Sequence, residues 1–302
     1  MRNLTQTNLP PLLGIHSTGT PAGAPIGDSS KVTTATISAS ESRVSPELPQ
    51  RVNVLGVGVS AIDMDDALRL TDRLLQQNGR GYVCVTGVHG VMEAQQDKSL
   101  RNILNRSFLT TPDGMPMVWI GKLTGHRGMD RVYGPDYMLD LCRLSVERGY
   151  RHFLYGGNTG VAERLAGELT RRFPGIQIAG TYTPPFRPLS PVEDADLAAQ
   201  VAATRPDIFW VGLSTPKQER FMAQYIDKLD VKLMVGVGAA FDIHTGGIKD
   251  SPRWMKRSGL QWFHRLCQEP RRLWRRYCIN NPKFVWKIGL QFLGVRKFGI
   301  EA

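Results

Sequence analysis

"RHFLYGGNTGVAERLAGELTRRFPGIQIAGTY", residues 151–182, decides the fold. It opens on an aromatic and aliphatic run that reads as a buried strand. Gly156, Gly157 and Gly160 break that run. Val161, Ala162, Leu165 and Leu169 then recur at helical spacing, Pro174-Gly175 stops the helix, and a second apolar strand follows. A helix between two strands is the crossover that parallel strands require.

The same alternation runs outward in both directions. Toward the N-terminus, "VNVLGVGVSAI" (52–62) reads as a strand and "DMDDALRLTDRLLQQNG" (63–79) as a capped amphipathic helix ending at Gly79. "GYVCVTGV" (81–88) reads as a second buried strand and "HGVMEAQQDKSLRNILNRS" (89–107) as helical. Toward the C-terminus, "EDADLAAQVAATRPD" (193–207) is a helix, "IFWVGLSTPKQERFMAQYIDKL" (208–229) strand, turn and helix, and "VKLMVGVGAAFDI" (231–243) a strand. Strands alternating with helices, and strands apolar on both faces, predict an α/β fold with a largely parallel sheet. Ligands bind such sheets at the carboxyl ends of the strands. Asp113, "YGGNTG", "STPKQE" and "AAFDIHTGG" are all predicted to fall on those turns.

Two flanking segments depart from this pattern. Residues 1–50 are rich in Ser, Thr, Pro, Gly and Ala, and their composition predicts a disordered tail before a core over 51–248. Residues 249–302 carry thirteen basic against three acidic side chains, a net +10 of the chain's +11. Eight aromatic residues, among them Trp254, Trp262, Trp274 and Trp286, lie among them up to Phe292. A basic, aromatic-rich helical appendage of this kind suits an anionic membrane surface. The four cysteines show no paired spacing, and no secretory leader or membrane-spanning run is evident, so a cytoplasmic protein with free thiols is expected.

Several motifs admit a chemical and a plain reading. The glycine turn with Gly156 and Gly157 offers free amides at a helix start, suited to phosphate, or is simply a tight turn. "STPKQE" (214–219) opens a helix that Ser214 could cap. It puts Lys217, Gln218 and Glu219 in the first turn, where a lysine opposes the helix dipole unless an anion binds there. Asp63-Met64-Asp65 and Asp194-Ala195-Asp196 imitate a metal-binding Asp-x-Asp, but both sit where a helix begins and read as caps. No histidine or cysteine spacing indicates a metal. In "TTPDGMPMVWIGKLTG" (110–125), Asp113 is either the cap of an apolar helix or a desolvated carboxylate placed as a general base.

Six segments occur together in order: "TPDGMPMVWIGKLTG", "RVYGPDYM", residues 153–182, "PDIFWVGLSTPKQERFM", "VGVGAAFDIHTGG" and residues 251–284. Over about 52–285 this resembles the WecG/TagA/CpsF glycosyltransferases of bacterial cell-surface polymer synthesis. The resemblance implies a Rossmann-like sheet and an inverting, metal-independent transfer from a UDP-sugar to a saccharide on a polyprenyl diphosphate, with no cofactor. It implies an enzyme held peripherally at the inner face of the plasma membrane, and leaves a homo-oligomer open. Asp113 matches the family's general base, Arg131 its active-site arginine, and Gln218 a residue beside the donor. Asp242 lies in the "AAFDIHTGG" turn and is taken as substrate-binding with Lys217 and Glu219. Arg265, Arg272 and Arg275 match arginines that fold over the nucleotide. One departure stands out: where members carry Thr-x-Asn at the end of the second strand, this chain has Val85, Thr86 and Gly87. Thr86 and Gly87 are kept as substrate-binding candidates, and the sugar is left as a hexose or N-acetylhexosamine. The rival readings are a nucleotide-sugar-binding protein without activity and a nucleic-acid-binding protein. For the latter no recognisable module appears, and no nucleic-acid partner is expected.

Overall fold

The computed structural model describes residues 48–301, so the tail expected over 1–50 lies outside the described residues but for its last three positions. A hairpin comes first, β1 (Arg51–Val54) and β2 (Val57–Ser60), antiparallel and joined by Leu55-Gly56. The single strand read over 52–62 is therefore two. Leu55 and Gly56 both take positive φ (54° and 85°), the geometry of a two-residue turn matched to strand twist. Leu55 gives no warning of this, because a leucine in that region is unfavourable on its own.

The main sheet has six strands, all parallel. They are β3 (Gly81–Thr86), β4 (Leu109–Pro112), β5 (Arg151–Gly156), β6 (Gln177–Tyr182), β7 (Ile208–Gly212) and β8 (Leu233–Gly236), in the order β4-β3-β8-β7-β5-β6. Side chains alternate between two cores, as strand geometry demands. Tyr82, Cys84, Phe153, Tyr155, Phe209, Val211 and Met234 face one, while Val83, Leu154, Ile208, Trp210, Leu233 and Val235 face the other.

Against the second core pack α1 (Met64–Gln76), α5 (Gly134–Arg148), α6 (Val161–Arg172) and α9 (Ala240–His244). Against the first lie the hairpin, α2 (Val88–Ala94), α3 (Lys98–Arg106), α4 (Met115–Leu123), α7 (Pro191–Thr204) and α8 (Lys217–Tyr225). The helical stretch expected over 89–107 is thus split, because Asp97 accepts from the Leu100 amide (3.1 Å) and starts a new helix. The last strand ends at Gly236, and Phe241–Ile243, read as strand, belong to α9. Both Asp-x-Asp imitations act at helix starts. Asp63 caps α1 through the Asp66 amide (2.9 Å), and Asp194 lies in the first turn of α7 behind a Ser190–Glu193 capping box.

The basic segment is helical: α10 (Arg253–Arg257), α11 (Gln261–Gln268), α12 (Pro270–Trp274), a π-helical turn over Arg275–Ile279, and α13 (Asn280–Phe292). It is fastened to the core. Phe284 is buried and α13 packs on α2. The Gln291 side-chain amide accepts from the Leu55 backbone amide (2.9 Å) and donates to the Asn53 carbonyl (2.8 Å). Asn53 and Asn105 donate in turn to the carbonyls of Phe298 and Glu301, both at 2.6 Å. The hairpin is the anchor to which the C-terminal segment ties.

Candidate active site

At the carboxyl ends of β3, β4, β7 and β8 a cavity of about 640 Å³ opens between the sheet and the C-terminal helices, a volume in the usual range for a small-molecule site. Pro112 ends β4 and Gly114, at φ 106°, begins α4. Asp113 between them makes no capping hydrogen bond, so the plain reading of this carboxylate fails. Its amide donates to the Thr86 carbonyl (3.0 Å), fixing the backbone to the end of β3. A Cβ on Gly87 would lie 2.6 Å from the Asp113 carbonyl oxygen, so the two loops touch only because position 87 is glycine.

The Asp113 carboxylate is one-third exposed, and that exposure opens into the cavity. Burial raises its pKa above the ordinary 3.8, opposed first by Arg131 and more weakly by Arg276 and Arg265. Arg131 Nη2 lies 3.5 Å from Asp113 Oδ1 and also donates to Gln261 of α11. The Arg131 guanidinium sits 4.2 Å from the centre of the Tyr133 ring, and Lys256 Nζ 4.5 Å from the same ring. The Tyr133 hydroxyl donates to Asp250 (3.1 Å), which pairs with Lys256 (2.5 Å). Arg131 is thus held by a ring, an amide and a carboxylate, each set by a different element.

Three guanidiniums from the C-terminal helices complete the lining. Arg265 pairs with Glu269 at 3.0 Å and Arg272 bonds the same carboxylate. Arg276, from the π-helical turn, has no acidic partner among the described residues, and burial lowers its pKa. The Nε atoms of Arg131, Arg265 and Arg276 are buried without a hydrogen-bond partner, donors left for an anion. His89 also lines the cavity, and burial followed by Arg276 pushes its pKa down to about 4, so it is neutral. On the floor, Gln218 donates to Glu219 (3.1 Å), as does the Thr215 hydroxyl (2.9 Å). Gln218 Oε1 stays unpartnered, and burial raises the Glu219 pKa. Among the described residues no group of three or more His, Cys, Asp or Glu is placed to hold a metal.

Six of the residues read from the sequence line this cavity together: Gly87, Asp113, Arg131, Gln218, Arg265 and Arg272. The others do not. Thr86 is buried, its hydroxyl donating to the Cys84 carbonyl (3.3 Å). Gly156 and Gly157 serve packing: a Cβ on the first would lie 2.6 Å from the Gly212 carbonyl, and on the second 2.8 Å from Val161. Lys217 is outside, and Ser214 caps nothing with its hydroxyl, since the first residue before α8 is Pro216. Glu219 lies beneath Gln218. Asp242 faces Arg272 and Arg265 from outside the cavity, its pKa raised by burial. Arg275 is exposed with its guanidinium 5.3 Å from the Trp274 ring centre, and the adjacent Arg276 takes the inward position. Sequence reasoning missed Tyr133, Lys256, Gln261 and Arg276. Tyr133 stood in the quoted "RVYG"; the other three sit in the basic segment, whose helical phase the sequence leaves undefined.

Comparison with known proteins gives the family. A protein of Bacillus subtilis (strain 168) named N-acetylglucosaminyldiphosphoundecaprenol N-acetyl-beta-D-mannosaminyltransferase is 33% identical over 192 residues, covering 63% of this chain and 72% of that protein. The protein of the same name from Bacillus spizizenii (strain ATCC 23059 / NRRL B-14472 / W23) is 32% identical over 212 residues, 70% of this chain and 79% of its own. The family profile matches residues 52–297, hairpin and C-terminal helices included. The chain belongs to the WecG/TagA/CpsF family of glycosyl transferases.

Proposed function

We propose that this glycosyltransferase moves a hexose or N-acetylhexosamine from a UDP-sugar to a saccharide carried on a polyprenyl diphosphate, by a single inverting displacement without a metal. The observation that carries this reading is Asp113: a carboxylate with a pKa raised by burial, beside Arg131, in a cavity edged by guanidiniums with unpartnered N–H groups. The acceptor class rests on the relatives, which are named for transfer to N-acetylglucosaminyl-diphosphoundecaprenol.

In the proposed reaction Asp113 takes the proton of the acceptor hydroxyl as that oxygen attacks the anomeric carbon. The bond to the UDP phosphate breaks on the opposite face, and its electron pair leaves on the diphosphate. Charge then grows at the departing phosphate, and Arg265, Arg272 and Arg276 are the donors placed to receive it. Arg131 orients the carboxylate and opposes the rise that burial causes in its pKa. Gln218 Oε1, buried and unpartnered, is available to a donor hydroxyl. The aromatic and basic outer face of the C-terminal helices would hold the enzyme at an anionic bilayer. No helix among the described residues is long and apolar enough to cross one.

The test is UDP release from a panel of UDP-sugars with N-acetylglucosaminyl-diphosphopolyprenol and EDTA present. Acceptor-dependent release from one donor, with the product anomer inverted, is expected. Release only after divalent metal is restored would remove the arginine-only account, and none from any donor would favour the binding-only reading.

A further inference from the structure

Beneath the cavity lies a carboxylate that the proposed reaction does not use. Glu219 is 1% exposed, and its Oε1 accepts from two side chains, the Thr215 hydroxyl (2.9 Å) and Gln218 Nε2 (3.1 Å). Both of those donors belong to residues that line the cavity, and Glu219 itself does not. It stands in the first turn of α8, where any carboxylate suits the helix dipole. A solvated side chain would serve the dipole as well. Here the carboxyl is buried and its pKa is raised, a cost that the dipole alone does not explain.

The hydrogen bonds explain it. A glutamine amide has one face that donates and one that accepts, and the two are nearly identical in shape. Glu219 Oε1 takes the Thr215 proton and the Gln218 amide protons alike, so it selects the NH2 face of Gln218. The carbonyl oxygen of Gln218 is thereby turned away from Glu219. It is buried without a partner, and a Cβ on Gly238, another cavity-lining residue, would lie 3.6 Å from it. Gly236, at the end of β8, leaves the space the amide occupies, since a Cβ there would lie 3.1 Å from Gln218 Nε2. We propose that Glu219 is a positioning residue that locks the Gln218 amide with its oxygen toward the cavity, so that the group of the sugar nucleotide seated there is a hydrogen-bond donor, a hydroxyl or a ring N–H. This rests on the UDP-sugar donor proposed above. Phosphate and carbonyl oxygens are excluded from that spot and left to the guanidiniums. A ligand lacking the donor leaves Gln218 Oε1 buried and unpaired, which discriminates more strongly than the loss of a contact in water.

The experiment is a double-mutant cycle on full-length protein, with calorimetric affinities for UDP and UDP-N-acetylglucosamine. Gln218→Met and Glu219→Met should each weaken binding of UDP-N-acetylglucosamine by about tenfold, and the double variant should bind no worse than Gln218→Met alone. A residue that only stabilises the start of α8 would instead give additive losses, or none from Glu219→Met, and either result overturns the positioning role. Equal losses for UDP place the bonded group on the uridine, and losses confined to UDP-N-acetylglucosamine place it on the sugar. If Glu219→Met does not fold, the isosteric Glu219→Gln replaces it in the cycle. An amide at 219 can turn either face to Gln218, so affinity should fall only while Gln218 is present, and an unchanged affinity overturns the proposal. Failure of the transferase reading is separate: wild-type protein would then bind neither nucleotide.

Discussion

Asp113 is the base of the proposed reaction and is also the most specific thing the residues say. Asp113→Asn keeps the shape and removes the base, so turnover should fall by about 10²–10⁴-fold, while calorimetry should show UDP binding little changed. The pH profile gives a second check. Burial raises the carboxyl pKa above 3.8, so kcat/KM should drop as pH falls through that raised value. Arg131 is the largest influence holding it down. Arg131→Ala should therefore move the acidic limb toward neutral pH as well as slow the reaction, whereas loss of mere scaffolding would lower the whole profile without moving the limb. Gly87 tests the same geometry from the backbone. Its φ of −113° suits any residue, so strain is not the obstacle. The obstacle is the Asp113 carbonyl, 2.6 Å from a new Cβ. Gly87→Asn would bring back the residue that the family pattern places here, yet it should cost activity by about 10²-fold, since ångström-scale displacement of a catalytic group has effects of that size.

Among the elements, the turn over Arg275–Ile279 decides which arginine faces the cavity. A π-helical turn inserts extra backbone into a helix and shifts the phase of every later residue in it. Regular periodicity cannot locate such a change, and the sequence reading accordingly took Arg275 from the family pattern where the structure turns Arg276 inward. Arg276→Ala should cut turnover by about 10²-fold or more, the loss seen when one donor to developing charge is removed. Arg275→Ala should stay within about twofold, as for a surface substitution; a reversal of that order would return the role to Arg275. The legible part of the molecule obeys the same physics. The strand–helix alternation, the parallel sheet and the position of Asp113 after β4 are written in apolar spacing and in Pro112 and Gly114. The Leu55-Gly56 turn, the Asp97 break and the packing duty of Gly156 and Gly157 depend on contacts with distant residues, and spacing along the chain does not record those.

Across the whole molecule, charge is segregated. The sheet and its helices are close to neutral, and the C-terminal fifty-four residues hold nearly all of the +11. Part of that charge is committed inward: Arg265, Arg272 and Arg276 line the cavity, and Lys256 is paired with Asp250 and Asp136. The remainder, including Arg253, Arg257, Arg271 and Lys297, is exposed beside Trp254, Trp274 and Trp286. These two populations should respond differently to salt. Exposed lysines and arginines act on a bilayer over a Debye length, which shrinks from about 30 Å at 0.01 M to about 3 Å at 1 M ionic strength. Each contributes on the order of 1 kcal/mol near an anionic surface. The buried guanidiniums of Arg265 and Arg276 are screened far less. Raising salt should therefore release the full-length protein from anionic vesicles in a flotation assay, while turnover on a short-chain, water-soluble acceptor stays nearly constant over the same range. If both fall together, the exposed and the cavity-lining charges act as one surface, and the division of labour within the C-terminal helices is lost.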